Sequence, residues 1–278
     1  MSKRSFVRML LSSATTLALV VCGAAWIPTA AHAQTAITSE TSPNWAGYII
    51  NYTNPDPNTD PLGASGAWNV PQVSCTENGK AISGQAAAWV GLGGVTSGNS
   101  FEQIGTTSQC TNGKATYYAW YEFPPAAAVE INITKTTNAS CKGTSPVAAG
   151  DDMQADVVDQ GFGQFALQIR DTTKNWYCPV LWINQSSSAV PQTAEWIVED
   201  PLSNGKQMTW PQFKNGVAFI ACTWTQDGAT NPLYSGANLT NETIYVYPQT
   251  TILPVDKDNT EAITAGAPEA FLVQWLHY

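Results

Sequence analysis

The sequence predicts an all-β fold, a lectin-like sandwich of two antiparallel sheets in a single domain. Three observations carry that prediction. Short runs of β-branched and aromatic residues alternate with polar ones at a period of two, as strands with one buried face require. Clusters of Gly, Pro, Asn and Asp interrupt those runs, and no long segment of 3.6-residue period competes with them. Trp, Tyr and Phe make up 10% of the 278 residues, a supply of strand-forming side chains that suits antiparallel sheets joined by functional loops.

The N-terminus reads as a targeting segment rather than as fold. Lys3, Arg4 and Arg8 form a positive region, Met9–Ile27 is mostly apolar, and Ala31-His32-Ala33 offers a small-residue cleavage site before Gln34. Ser12, Ser13, Thr15 and Thr16 interrupt the apolar run, which argues against a retained anchor. Val21 is too bulky to precede a lipidated Cys22. The expected division is a removed signal peptide at 1–33, a short segment at 34–43 and the β-sandwich domain at 44–278. The protein is then expected outside the cytoplasm, extracellular or periplasmic. Gln34–Pro43 is too short to serve as a bulky inhibitory propeptide.

Ser42–Tyr52 opens the ordered part as S-P-N-W-A-G-Y-I-I-N-Y, followed by a Pro/Asp/Asn loop at Asn54–Pro61. Ala67–Val73 reads as an edge strand ended by Pro71. Ala86–Leu92 comes next, then Phe101–Gly105, where alternation sets Gln103 opposite Glu102 and Ile104. In Thr116–Phe123 the side chains of Tyr118, Trp120 and Glu122 share one face. Asp151 and Asp152 read as turn residues before a strand at Met153–Val158. Further strands are expected at Val129–Thr134, Gln164–Asp171, Val180–Asn184, Ala194–Glu199, Val217–Trp224 and Thr243–Tyr247. Phe271–Tyr278 is apolar enough to dock last.

Charge excludes several partners. The first 33 residues hold three of the 12 basic residues and none of the 21 acidic ones, so the remainder carries a formal net charge of about −12. That balance argues against nucleic acid and against an anionic membrane. Only 12% of residues are charged, and a surface with few paired carboxylates loses little on acidification. Beyond Cys22 lie Cys75, Cys110, Cys141, Cys178 and Cys222, which in an exported protein favour two disulfides and one remaining thiol.

The stretch Thr193–Pro201 (T-A-E-W-I-V-E-D-P) concentrates the chemistry. Alternation puts Glu195, Ile197 and Glu199 on one face and Trp196 and Val198 on the other, with the two carboxylates about 13 Å apart along the strand. Carboxylates facing a groove are costly unless they have partners or a task. Elimination narrows the task. His277 is the only histidine after His32, so a Ser-His-Asp or Cys-His arrangement has one terminal candidate and no G-x-S-x-G to accompany it. H-E-x-x-H and C-x-x-C are absent, and no Gly-rich phosphate loop opens a helix. No metal and no cofactor are expected. What remains is a two-carboxylate glycoside hydrolase using a pair such as Glu122 and Glu199, a carbohydrate-binding lectin-like module, or peptide hydrolysis by a carboxylate and an amide.

Six motifs occur in order: N-W-A-G at Asn44, W-V-G-L-G-G at Trp89, E-Q-I-G at Glu102, A-W-Y-E at Ala119, A-G-D at Ala149 and A-E-W-I-V-E-D at Ala194. In this the chain resembles the glutamic peptidases, the eqolisin family, over most of its length. The resemblance implies a sandwich of two antiparallel sheets and an acid-acting endopeptidase that takes protein or peptide substrates as a monomer. It assigns the Gln/Glu dyad to Gln103 and Glu199, and sets Trp45, Trp89, Trp120 and Glu122 along the substrate cleft, with Glu195 supporting it. Glu199 would act as general base near its ordinary pKa, and Gln103 would orient the water and hold the oxyanion. Gly93 stands where fungal members carry Asp, and Phe123-Pro124 where they carry W-Y-P, departures that resemble a bacterial-type branch.

Overall fold

The computed structural model of the chain describes residues 38–95, 101–131, 141–142, 146–184, 190–203, 206–207, 210–213, 215–235, 239–244, 249–254 and 269–277. Nearly all of this is strand. The first sheet runs in the order Thr38–Ser42, Leu239–Ile244, Trp45–Asn51, Thr193–Glu199, Gly84–Gly93, Phe101–Thr111, Lys114–Glu122 and Val129–Ile131. The second runs Trp176–Asn184, Gln164–Asp171, Asp152–Asp159, Leu62–Asn69, Val217–Gln226, Phe271–His277 and Gln249–Pro254. Pairing is antiparallel except at one edge of the first sheet, where Thr38–Ser42 runs parallel to Leu239–Ile244. Residues from Thr35 to Tyr278 form one compact unit.

The core lies between the two inner faces. Trp196, Val90 and Ile104 of the first sheet pack with Trp68, Met153 and Phe219 of the second. Buried indoles need partners for their N–H groups, and both are found across the gap. Trp196 Nε1 donates to Ser65 O at 2.8 Å, and Trp68 Nε1 to Thr106 Oγ1 at 2.9 Å. The outer faces of the two sheets differ. Asp152–Asp159 alternates buried and more exposed positions, as a half-solvated strand should, whereas Thr193–Glu199 is buried on both faces up to Val198. A second, smaller apolar cluster of Ile49, Ala87, Trp89, Trp120 and Ile197 covers the outer face there.

Two expectations are corrected. Of the segment expected as an edge strand at Ala67–Val73, Val73 starts a separate short strand, Val73–Ser74, and Ala67–Asn69 belongs to Leu62–Asn69, which lies inside the second sheet, paired with Asp152–Asp159 on one side and Val217–Gln226 on the other. Pro71 lies past its end, where a missing N–H breaks no ladder. Asp151 is more than a turn residue: it is buried, its Oδ2 accepts from Ala148 N at 2.6 Å and pairs with Lys174 Nζ at 2.7 Å. Disulfides join Cys75 to Cys110 and Cys141 to Cys178, and Cys222 is a buried free thiol. The expected signal peptide and residues 245–247 of the expected Thr243–Tyr247 strand lie outside the described residues.

Candidate active site

The outer face of the first sheet is built from three rungs that cross five strands. Because side chains alternate, positions two apart on one strand share this face. The first rung reads Ile49, Glu195, Gly91, Gln103 and Glu122; the second Gly47, Ile197, Trp89, Gly105 and Trp120; the third Trp45, Glu199, Ala87, Thr107 and Tyr118. The register thus brings every site residue expected from the sequence to one face.

Glycines shape the floor. A Cβ at Gly105 would come within 2.5 Å of Trp89 Cβ and 2.4 Å of Ala88 O, and one at Gly91 within 2.9 Å of Trp89 Cζ3. The Trp89 side chain therefore occupies space that only glycine neighbours leave open. Trp45 meets its ring edge-on at 5.1 Å between centroids, and Phe101 packs against both.

Two hydrogen-bonded groups stand on this floor. Glu199 Oε1 accepts from Asn44 Nδ2 at 3.1 Å and Oε2 from Trp89 Nε1 at 2.9 Å. Asn44 is itself tied to the strand end, its carbonyl accepting from Asp200 N at 2.8 Å. Burial pushes the Glu199 carboxyl up to about 7, opposed by bonds from Trp89, Trp45 and Asn44 and reinforced by the charge of Glu122. This differs from the untuned carboxylate that the sequence suggests. In the second group Gln103 Nε2 donates to Glu122 Oε2 at 2.6 Å. Burial raises Glu122 as well, and the Gln103 N–H opposes the rise. Gln103 Oε1 is buried without a hydrogen-bond partner.

The remaining expected residues divide by exposure. Trp120 lies in the apolar floor, 6% exposed. Glu195 has no exposed surface at all, and burial followed by the charge of Glu102 raises its carboxyl well above the usual range. It is enclosed in the sheet face rather than presented to a ligand. Asn44 and Phe101 escaped sequence reasoning as site residues, although each sits in a quoted motif or two positions before Gln103. Alternation assigns a residue to a face and says nothing of its hydrogen-bond partner. At the third rung the Tyr118 side chain reaches Thr107, another contact that no spacing foretells.

The model of the peptidase A4 family matches residues 43–264. The chain belongs to that family, the glutamic peptidases. Aspergillopepsin-2 of Aspergillus niger is 27% identical over 210 residues, 69% of this chain and 67% of that protein. Among solved structures, scytalido-glutamic peptidase with a transition state analog inhibitor aligns at a TM-score of 0.63 and 21% identity, covering 84% of this chain and 99% of that one. SCP-B, an eqolisin peptidase in complex with the tripeptide Ala-Ile-His, aligns at 0.60 and 21% identity over the same shares. Those neighbours share the sandwich fold. As a glutamic peptidase the chain hydrolyses peptide bonds. Gly93, where fungal family members carry Asp, adopts φ +80°, a left-handed conformation that any residue with a Cβ enters at a cost.

Proposed function

We propose that the protein is a secreted endopeptidase that cleaves protein substrates in weakly acidic water, with Gln103 and Glu199 as its catalytic pair. The supporting observation is a buried Glu199 carboxyl held by Asn44 and Trp89, on the same face as a Gln103 amide held by Glu122. Ionised Glu199 takes a proton from a water molecule, whose oxygen forms a bond to the scissile carbonyl carbon. The carbonyl oxygen becomes an oxyanion, and the second Nε2–H of Gln103, free of Glu122, donates to it. The proton held by Glu199 then passes to the amide nitrogen as the C–N bond breaks. Carboxyl and amide groups alone carry these steps.

The remaining parts of the proposal rest on sequence and environment. Trp45, Trp89 and Trp120 supply an apolar wall along the extended peptide, and Glu122 fixes the amide. Residues 1–33 serve as the export signal. The raised Glu199 pKa moves the working range upward from strong acid, because a base must be ionised to accept a proton.

The test is turnover of a denatured protein by the mature enzyme between pH 3 and 7. Glu199→Gln is expected to abolish cleavage with the fold intact, and Gln103→Ala to lower kcat on the order of a hundredfold or more. EDTA should leave the wild type unaffected. Wild-type rates in both variants would remove the pair from the mechanism.

A further inference from the structure

Asn44 reaches the Glu199 carboxyl from a position where strand geometry would not send it. Trp45 opens the strand Trp45–Asn51 directly opposite Glu199, and both side chains stand on the outer face of the first sheet. Strict alternation would turn the side chain of the preceding residue, Asn44, to the inner face. Its Nδ2 nevertheless donates to Glu199 Oε1 at 3.1 Å. The chain leaves the extended path just ahead of Trp45, in a bend at Pro43 and Asn44.

Ser42 holds that bend. It ends the strand Thr38–Ser42, which is anchored along Leu239–Ile244. Its Oγ accepts from Trp45 N at 3.1 Å and, at a longer 3.4 Å, from Asn44 N. This is the local pattern by which a hydroxyl fixes a turn. Pro43 has no N–H to compete for the hydroxyl, its ring locks φ, and it restricts Ser42 to extended backbone. From the other side the Asn44 carbonyl accepts from Asp200 N at 2.8 Å. Asn44 is thus gripped at its N–H and at its C=O, and its side chain is aimed by the bend between them. The two residues whose N–H groups Ser42 receives, Asn44 and Trp45, are also two of the three whose side chains hydrogen-bond to Glu199.

We propose that Ser42 is a positioning residue, whose hydroxyl keeps the Pro43–Asn44 bend that swings the Asn44 amide onto the outer face and against the Glu199 carboxyl. This role rests on Glu199 being the base of the reaction. Its sign follows from the surroundings of that carboxyl. A donor to the carboxylate favours the charged form. Burial and the charge of Glu122 oppose ionisation, and the Trp89, Trp45 and Asn44 donors assist it. Releasing the bend withdraws Asn44 and leaves the opposing effects in place, so Glu199 ionises only at higher pH.

The experiment measures kcat/KM against pH for Ser42→Ala, Ser42→Thr, Asn44→Ala and the double variant Ser42→Ala with Asn44→Ala. Asn44→Ala is expected to move the rising limb up by about one pH unit, the order of one hydrogen bond to a charged group. Ser42→Ala should move it the same way by about half a unit or more, and Ser42→Thr, which keeps the hydroxyl, should leave it in place. The double variant should match Asn44→Ala, because a residue that acts through another adds little once that one is gone. An unmoved limb in a folded Ser42→Ala protein overturns the proposal, whatever its thermal midpoint. So does a second shift of the same size in the double variant, since Ser42 would then act independently of Asn44. Should Ser42→Ala not fold, Ser42→Cys, which keeps the volume and offers only a weak acceptor, is held to the same two criteria. Wild-type turnover in Glu199→Gln would overturn the base and the Ser42 role with it, whereas an unmoved limb in Ser42→Ala overturns the Ser42 role alone.

Discussion

At the scale of single residues, Glu199 ties the chemistry to the surrounding aromatics. Its pKa, near 7, is the balance of burial and the Glu122 charge against three donors, of which Trp89 is the strongest. If ionised Glu199 is the base, kcat/KM should rise with pH toward about 7 and then level. Replacing Trp89 by Phe keeps most of the ring packing but deletes the N–H that favours the charged form. The rising limb of kcat/KM against pH is therefore expected to move to higher pH in Trp89→Phe. A limb that stays in place would mean that Glu199 ionisation does not limit the reaction. The choice of Gln103 and Glu199 as the pair rests on motifs alone. Alternation alone left Glu195 and Glu199 equivalent, and it takes the register to put Asn44 beside one and Gly91 beside the other.

At the scale of elements, most of the long strands were legible, Thr38–Ser42 and Gln249–Pro254 were not, and neighbours were not legible at all. Period-two patterning found Thr193–Glu199 and Gly84–Gly93 within two residues at each end, and only the first half of Phe101–Thr111. The same patterning misjudged Leu62–Asn69, because Pro71 marks the end of that strand rather than a sheet edge. Neighbour choice depends on volume matched across strands. Gly105 shows the mechanism, since its missing side chain lets Trp89 lie across the adjacent strand. Gly105→Ala should destabilise the protein by about 1–3 kcal/mol through overpacking and lower activity by displacing Trp89 from Glu199. Urea unfolding and turnover of the same sample test this together. An alanine variant as stable and active as the wild type would show that the floor yields more easily than its contacts imply.

For the whole molecule, buried carboxyls set the response to pH. Burial raises Glu199 to about 7 and Asp159 to about 6, and is the largest cause raising Glu122, Asp171 and Glu195. A carboxyl raised in the folded state favours folding while it is neutral. That stability is complete below the unfolded values near 4 and is lost as pH rises through 6 and 7. The thermal midpoint should be highest in mild acid and several degrees lower at pH 8, with a shallower decline in Glu199→Gln. Calorimetry from pH 4 to 8 checks it; a midpoint that climbs with pH would contradict the assignment. The fold class was legible because the alternation persists along the whole chain. The cysteine pairing was not, since the partners meet only through register, as when Gly84 brings Cys110 into line.

The order of strands has a consequence for the life of the chain before it is finished. Thr193–Glu199 is hydrogen-bonded between Trp45–Asn51 and Gly84–Gly93, two strands made much earlier in synthesis. Until it inserts, Asn44 and Trp89 have no carboxylate to hold. Trp45–Asn51 must also wait for Leu239–Ile244 to cover its other side. A chain in which Thr193–Glu199 has not yet inserted therefore lacks the contacts that hold the Glu199 carboxyl.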